Sequence, residues 1–339
     1  MWFDKHGNDE DVVLSSTAVI YRNIKGFPFA SKMSTADKEN ILGMVKQAVA
    51  DTDKVFIRGT ELDENMTRTL FDQRLLAARF LDERDTNAVI LDKNDEGFTT
   101  IVNGNEHLVI RKSVSGSAIT EAYKGAESFA VEMEKKLDIA FTEKLGFLTS
   151  GISSIGTGMF IGASIVIPGV ETTVGAMSAL TKRLEKYDWV IRPAFKSDKG
   201  GTGGIYSING MATLGVDEKE IIDRAVRVIN DVVKFERSCR LNIYKKKSGI
   251  VQDQFYKSYG VLRYARRLDR NEAAEYMGRI RLGMEKFVTE DIDIDYKKVN
   301  HICNMLISDY DEAESKGKKA FTVSKLRAEK IRKTLKGDD

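Results

Sequence analysis

Apolar residues alternate or run together in short β-branched stretches through the first two thirds of the chain, and recur at helical spacing in the last third. Behind Ser34-Thr35-Ala36-Asp37, the positions Ile41, Met44, Val45 and Ala48 predict an amphipathic helix whose Ser and Asp can cap one another. A longer helix is predicted from Thr120 to Lys144, with Ala126, Phe129, Ala130, Met133 and Leu137 on one face and Gly146 as its stop. Between the two helices, Ala88 to Leu91, Phe98 to Val102 and Glu106 to Lys112 read as strands. Asn103-Gly104 joins the last pair, and both residues tolerate positive φ, so a type I′ hairpin is expected there. Further strands are predicted at Phe160 to Ile167, Trp189 to Arg192 and Gly204 to Ile208, with a helix from Ala179 to Tyr187 between the first two.

Beyond about Ser248 the period is helical throughout, at Asp253 to Arg266, Asn271 to Phe287, Val299 to Ser308 and Thr322 to Leu335. Proline is absent from this region, and Lys and Arg crowd its last turns, as the helix dipole favours. The predicted organisation is therefore an α+β domain over residues 1–247 followed by a small all-α domain over residues 248–339.

Composition narrows the function classes. With 42% hydrophobic residues over 339 positions, the chain can bury a substantial core. Fifty-three basic against fifty-one acidic residues is too balanced for the dense positive field of a nucleic-acid binder, so no nucleic acid is expected as partner. The basic tail, Lys316-Gly317-Lys318-Lys319 and then Lys325 to Lys336, reads as a solvated helix face. Cys239 and Cys303 lie too far apart to suggest a disulfide framework, which favours a reducing, cytoplasmic setting. No basic segment followed by an apolar core opens the chain, so no secretory signal is expected. Thr149 to Val170 is uncharged and long enough for a membrane span, but its Gly, Ser and Thr content and Pro168 read as a glycine-rich loop running into a buried strand. No membrane is therefore expected as partner.

Candidate chemistry is sparse. The histidines, His6, His107 and His301, have no metal-ligand spacing with the cysteines, so no metal is expected. Gly200-Gly201-Thr202-Gly203-Gly204 could bring backbone amides to a phosphate, yet it lacks the Lys-Ser/Thr ending of a P-loop and also reads as a flexible hairpin. Gly156-Thr157-Gly158 offers less.

Taken in order, several segments carry a resemblance. Val12 to Ser16 and then Arg22-Asn23-Ile24-Lys25-Gly26-Phe27-Pro28-Phe29 are similar to an opening Ser-Ser-Arg-x-Arg-x-x-Arg-Asn stretch. Asn103 to Val109 is similar to Asn-Glu-Glu-Asp-His-Leu-Arg, and Lys144 to Ser150 with Gly156-Thr157-Gly158 to a Gly-Tyr-Leu-Thr-Ser-Cys block ending in Gly-Thr-Gly-Leu-Arg. Tyr206-Ser207-Ile208-Asn209 with Thr213-Leu214-Gly215, and Ser258 to Leu262 with Arg281-Leu282-Gly283, continue the series. Together they resemble the bacterial protein-arginine kinases of the ATP:guanido phosphotransferase (phosphagen kinase) superfamily. That resemblance implies a phosphagen-kinase-like, glutamine-synthetase-like antiparallel β-sheet flanked by helices. It also implies a C-terminal helical domain of the dimerisation and phosphoarginine-binding type.

The family's reaction moves the γ-phosphoryl of ATP to a guanidinium nitrogen. It needs cations on the phosphates and Mg²⁺, and carboxylates to hold the guanidinium and take its proton. By the resemblance, family phosphate arginines fall on Thr17, Val19, Val109 and Phe160, while Arg22, His107 and Arg192 remain as nucleotide-binding remnants. The catalytic carboxylate falls on Asn105, the second substrate carboxylate on Ser197, and the guanidinium-site cysteine on Gly151. An amide cannot take a proton near neutral pH, so none of these is expected to be catalytic. The family's phosphoarginine motif survives in part as Arg327 and Ala328.

Three functions follow from this reading. The first is a catalytically inactive homologue, a pseudokinase, acting as a regulatory or interaction partner. It would form a homodimer, a heterodimer with an active family member, or a contact with the Clp protease and protein-quality-control machinery such kinases serve. The second is an active or weakly active protein-arginine kinase with ATP and Mg²⁺ as cofactors, in which Glu106 would be the base and Lys196 and Lys199 would flank the glycine-rich loop. The third is a small-ligand-binding protein whose altered cleft takes an uncharged or apolar molecule beside Phe160, Val19 and Val109.

Overall fold

A computed structural model describes residues 1–195, 202–211, 214–289, 292–308 and 320–337. Ser197, Lys196, Lys199, Gly200, Gly201, Thr213 and the Lys316 to Lys319 stretch lie outside the described residues.

Ten strands account for two sheets: β1 (Val13–Arg22), β2 (Lys54–Arg58), β3 (Ala88–Asp92), β4 (Phe98–Val102), β5 (Leu108–Ser115), β6 (Phe141–Thr142), β7 (Gly146–Phe147), β8 (Met159–Val166), β9 (Trp189–Pro193) and β10 (Ile205–Gly210). Eight of them form one sheet in the order β2-β3-β4-β5-β1-β8-β10-β9, every neighbouring pair antiparallel. β6 and β7 pair separately. The helices are α1 (Thr35–Val49), α2 (Glu64–Asp72), α3 (Ala78–Asp82), α4 (Ile119–Lys136), α5 (Pro168–Thr172), α6 (Ala176–Glu185), α7 (Glu218–Tyr264), α8 (Arg270–Phe287), α9 (Tyr296–Ile307) and α10 (Ala320–Lys336). The expected α+β architecture is what the chain adopts, an antiparallel sheet with helices on it and a helical region after it.

Strand alternation sorts the sheet into two unlike faces. Ala18, Ile20, Ile90, Ile110, Ile161, Ala163 and Ile208 point into one core with α1, α4, α6 and the first half of α7. α1 begins at Ser34, whose hydroxyl accepts from the Asp37 N–H while the Asp37 carboxylate takes the Ser34 N–H, the predicted reciprocal cap. α4 buries Ile119, Ala122, Ala126, Phe129, Ala130 and Met133, one stripe at helical spacing.

α4 stops eight residues before the predicted end. Ile139 bridges to Ile24, the Lys25 N–H donates to the Asp138 carbonyl, and the Ala140 N–H donates to that of Asn23, so this segment is drawn off as an extended strip. Gly146 does not stop a helix either. It sits in β7 at φ +73°, where an added Cβ would lie 2.4 Å from the Gly156 carbonyl oxygen. The uncharged stretch from Thr149 forms a short turn, β8 and the start of α5, and no helix among the described residues is long and apolar enough to cross a membrane.

The opposite face is covered at its two ends. Over β2 to β4, the segment holding Leu62, Leu70, Phe71, Leu75, Leu76 and Phe80 packs with Trp2, Phe3 and Val89. At the other end, Leu14, Val166, Phe195 and Ile205 share a core with Phe255, Ala274, Met277, Val299 and Ile302 of the C-terminal helices. α7 is kinked at Lys247 (φ −141°, ψ 28°), where one helix gives way to the next. The described end of the glycine-rich loop is a packing joint: a Cβ at Gly203 would lie 1.8 Å from the Ala274 carbonyl oxygen, and one at Gly278 2.4 Å from that of Gly203.

Candidate functional site

Between these covers the middle of this second face is only partly shielded: Thr17, Arg111, Phe160, Ser207 and Asn209 are half-buried and Arg192 is exposed. Cross-strand pairing aligns Thr99, Arg111, Val19 and Phe160 in one row, and Ser113, Thr17, Gly162 and Asn209 in the next. A third row runs Ser115, Ser15, Ser164, Ser207 and Arg192. Thr17, Val19, Val109, Phe160 and Arg192, scattered over 176 positions of sequence, therefore share one surface because alternation gives them the same parity. Its floor is hydroxyl and aliphatic: the Thr17 and Ser113 hydroxyls pair at 3.0 Å, and Val19 and Val109 are buried. Arg192 is exposed on the edge strand β9.

Two of the expected nucleotide-binding remnants do not face this surface. Arg22 has the opposite parity, and its guanidinium is buried 3.4 Å over the Phe147 ring, with Nε donating to Glu134 at 2.6 Å and Nη1 to the Tyr21 and Thr157 carbonyls. Burial lowers its pKa, and Glu134 acts the other way. His107 is fully buried. The Ile24 N–H donates to its Nδ1 at 2.9 Å, which leaves the proton on Nε2 to donate to the Pro28 carbonyl at 2.8 Å. Burial holds the imidazole pKa below its ordinary 6.5.

The loop joining β4 and β5 is not the expected type I′ turn. Asn103 alone takes a left-handed φ (+59°), and its N–H donates to the His107 carbonyl at 2.9 Å, closing a five-residue loop. The Asn103 amide is spent on the Lys38 and Thr86 carbonyls. Asn105 is exposed at the loop tip. Glu106, one residue on, is 2% exposed and turned inward. Its carboxylate accepts from Asn23 Nδ2 at 2.6 Å, from the Ser150 hydroxyl at 2.6 Å and from the Ser150 N–H at 2.9 Å. The resulting clamp ties the loop to the strand end at Asn23 and to the segment around Gly151. Gly151 itself has room: an added Cβ would meet nothing nearer than Ser154 Oγ at 3.8 Å.

In the helical region, Arg327 is buried and donates from Nη1 to the Leu268 carbonyl at 3.2 Å, while Ala328 is fully buried between helices. Lys330 reaches Asp72 of α2 at 3.6 Å beside it. Two residues that pattern reasoning passed over stand on the open face. Arg111, two positions after Val109, shares that residue's parity. Arg74, left-handed at φ +60°, donates to Ser164 Oγ at 2.9 Å and to Asn304 Oδ1 of α9 at 2.6 Å. Alternation along β5 could have found Arg111; nothing local marks Arg74.

The profile of a family described as "ATP:guanido phosphotransferase, C-terminal catalytic domain" matches residues 38–239, more than half of the chain. The chain belongs to that family. A second profile, "Protein-arginine kinase McsB C-terminal domain", matches residues 248–338. A protein-arginine kinase of Pelotomaculum thermopropionicum is 27% identical over 300 residues, covering 86% of this chain and 84% of that protein. One from Desulforamulus reducens is 28% identical over 291 residues, covering 84% and 81%. Among solved structures, a lombricine kinase superposes with a TM-score of 0.59 at 14% identity, over 70% of this chain and 69% of that one. The duplicated taurocyamine kinase of Schistosoma mansoni gives 0.59 at 17% identity over 68% of this chain and 33% of its own. These likenesses establish the guanido phosphotransferase fold.

Proposed function

We propose that this guanido phosphotransferase does not transfer phosphate, and that it works in the cytoplasm as a regulatory or interaction partner. The observation that carries this reading is the state of Glu106. It is the one carboxylate beside the position where the resemblance puts a catalytic base, and its oxygens are engaged by Asn23 and Ser150. A base must be free to receive the substrate's proton. Asn105, exposed at the tip, has no basic oxygen.

The rest of the face supports the same reading. Of the five phosphate positions on it, one, Arg192, carries a cation, and Val19 lies directly opposite Phe160. Losing one transition-state charge contact costs about 2–4 kcal/mol, so several losses remove most of a rate enhancement even when they are not additive. The residues present do not fit a magnesium-bound triphosphate. Retained instead are the sheet, the helical domain and their joint, the parts a protein needs to be recognised by another.

Incubation with ATP, Mg²⁺ and an arginine-rich protein should leave no acid-labile phosphate on that protein. Phosphoarginine that appears with the wild type and disappears in Glu106→Gln would overturn the proposal and make the chain an active kinase. Co-purification with an active family member, or a dimeric mass in solution, is the expected sign of the partner role.

A further inference from the structure

On the open face stands a cation with no counter-charge. Arg111 projects from β5 between Thr99 of β4 and Val19 of β1. Its guanidinium is half-buried, its Nη1 donates to the Arg74 carbonyl at 3.2 Å, and it makes no ion pair among the described residues. Burial pushes its pKa down, with the Tyr21 phenol acting weakly the other way. Beneath it the Thr99 hydroxyl is buried without a hydrogen-bond partner. A guanidinium withdrawn from water without an anion is costly, and a protein that keeps one gains when an anion arrives.

The count and spacing of cations decide the class of anion. Arg192 is four strands away, roughly 19 Å at the usual strand separation, and Arg74 turns its guanidinium to Ser164 Oγ and Asn304 Oδ1, so neither shares one phosphate group with Arg111. With Nη1 turned to the Arg74 carbonyl, the remaining Nε and Nη2 edge is a two-donor fork, the shape that binds a carboxylate bidentately. The walls on either side are apolar: Val19 and Val109 are buried and Phe160 is half-buried. We propose that the open face binds a small organic monoanion, its carboxylate on Arg111 and its apolar body against Phe160. The site goes beyond the loss of phosphoryl transfer and does not depend on it, since acid-labile phosphate reads the one and ligand binding the other.

The test uses the full chain with benzoate, its neutral isostere benzamide, and inorganic phosphate as probes in thermal unfolding. A ligand that binds the native state raises the midpoint. Benzoate should raise it, with benzamide and phosphate giving no comparable rise. Arg111→Met should abolish the benzoate response and, because an uncompensated cation is replaced by an apolar chain of similar length, should unfold at a higher temperature than wild type without any probe. Phe160→Ala, which leaves the guanidinium in place, should weaken benzoate about tenfold, the loss of one aromatic contact. A lower midpoint for Arg111→Met would show that the guanidinium is structural and sink the proposal. So would a benzoate response that survives Arg111→Met, a response to phosphate as large as that to benzoate, or no response at all.

Discussion

At the scale of the residue, the site is governed by where hydrogen-bonding capacity has been spent. Removing Glu106 takes a charged acceptor from the buried Asn23 amide, which keeps the Leu148 carbonyl, and from the exposed Ser150 N–H and hydroxyl. Glu106→Ala should therefore lose about 1–3 kcal/mol in urea unfolding, a cost a solvent-facing catalytic base would not show. His107 adds a pH dependence of definite sign. Its folded pKa lies below 6.5, so its contribution is fully present above pH 6.5 and fades as pH falls through that value toward the folded pKa. Unfolding midpoints measured from pH 7.5 down to 5.5 should fall more steeply for wild type than for His107→Gln. Sequence motifs brought Glu106 and His107 into view but not their duties. The partners of Glu106 lie 83 and 44 residues away, and no local pattern announces such convergence.

Among the elements, those set by local chemistry were legible and those set by tertiary competition were not. The Ser34 cap and the strands β3, β4 and β9 follow from nearest-neighbour preferences and alternation, and the chain forms them nearly where the pattern put them. α4 ends early because the Ile139 bridge and its neighbouring hydrogen bonds to residues 23–25 outweigh the helical preference of the residues beyond Lys136. The glycines of the 200–204 stretch invited a phosphate-binding reading, whereas Gly203 and Gly204 let the loop touch α8 and the start of α5. Gly278→Ala should cost about 1–3 kcal/mol, because its methyl would press on the Gly203 carbonyl. Gly249→Ala, exposed on α7 with nothing within 4 Å, should instead stabilise by about 0.5–1 kcal/mol. Chemical denaturation of the two variants side by side reads the difference.

Across the whole molecule, a buried polar web ties the N-terminal segment to the helices. Glu236 accepts the Gly169 and Val170 N–H groups and Arg240 Nε, Arg240 reaches Asp11, Arg281 donates to the Glu10 carbonyl at 2.7 Å, and His301 meets Asp4 at 2.8 Å. Glu236→Ala leaves Arg240 buried beside two orphaned amides and should cost about 3–5 kcal/mol. Because Leu14, Val166 and Ile205 complete the core of the helical region, the two halves should unfold in one transition seen alike by circular dichroism and tryptophan fluorescence. A chain cut after residue 247 should expose those side chains and aggregate. Reading the sequence placed a boundary there because the periodicity changes, and the backbone kinks at Lys247. A helix is a phase-locked rod. One residue inserted before the kink, between the buried Glu236 and Tyr244, would turn Tyr244 by roughly 100° and push it about 1.5 Å along the axis. Length variation, which a linker absorbs freely, is thereby excluded ahead of Lys247 and left to the kink, at the very place where two sequence families meet.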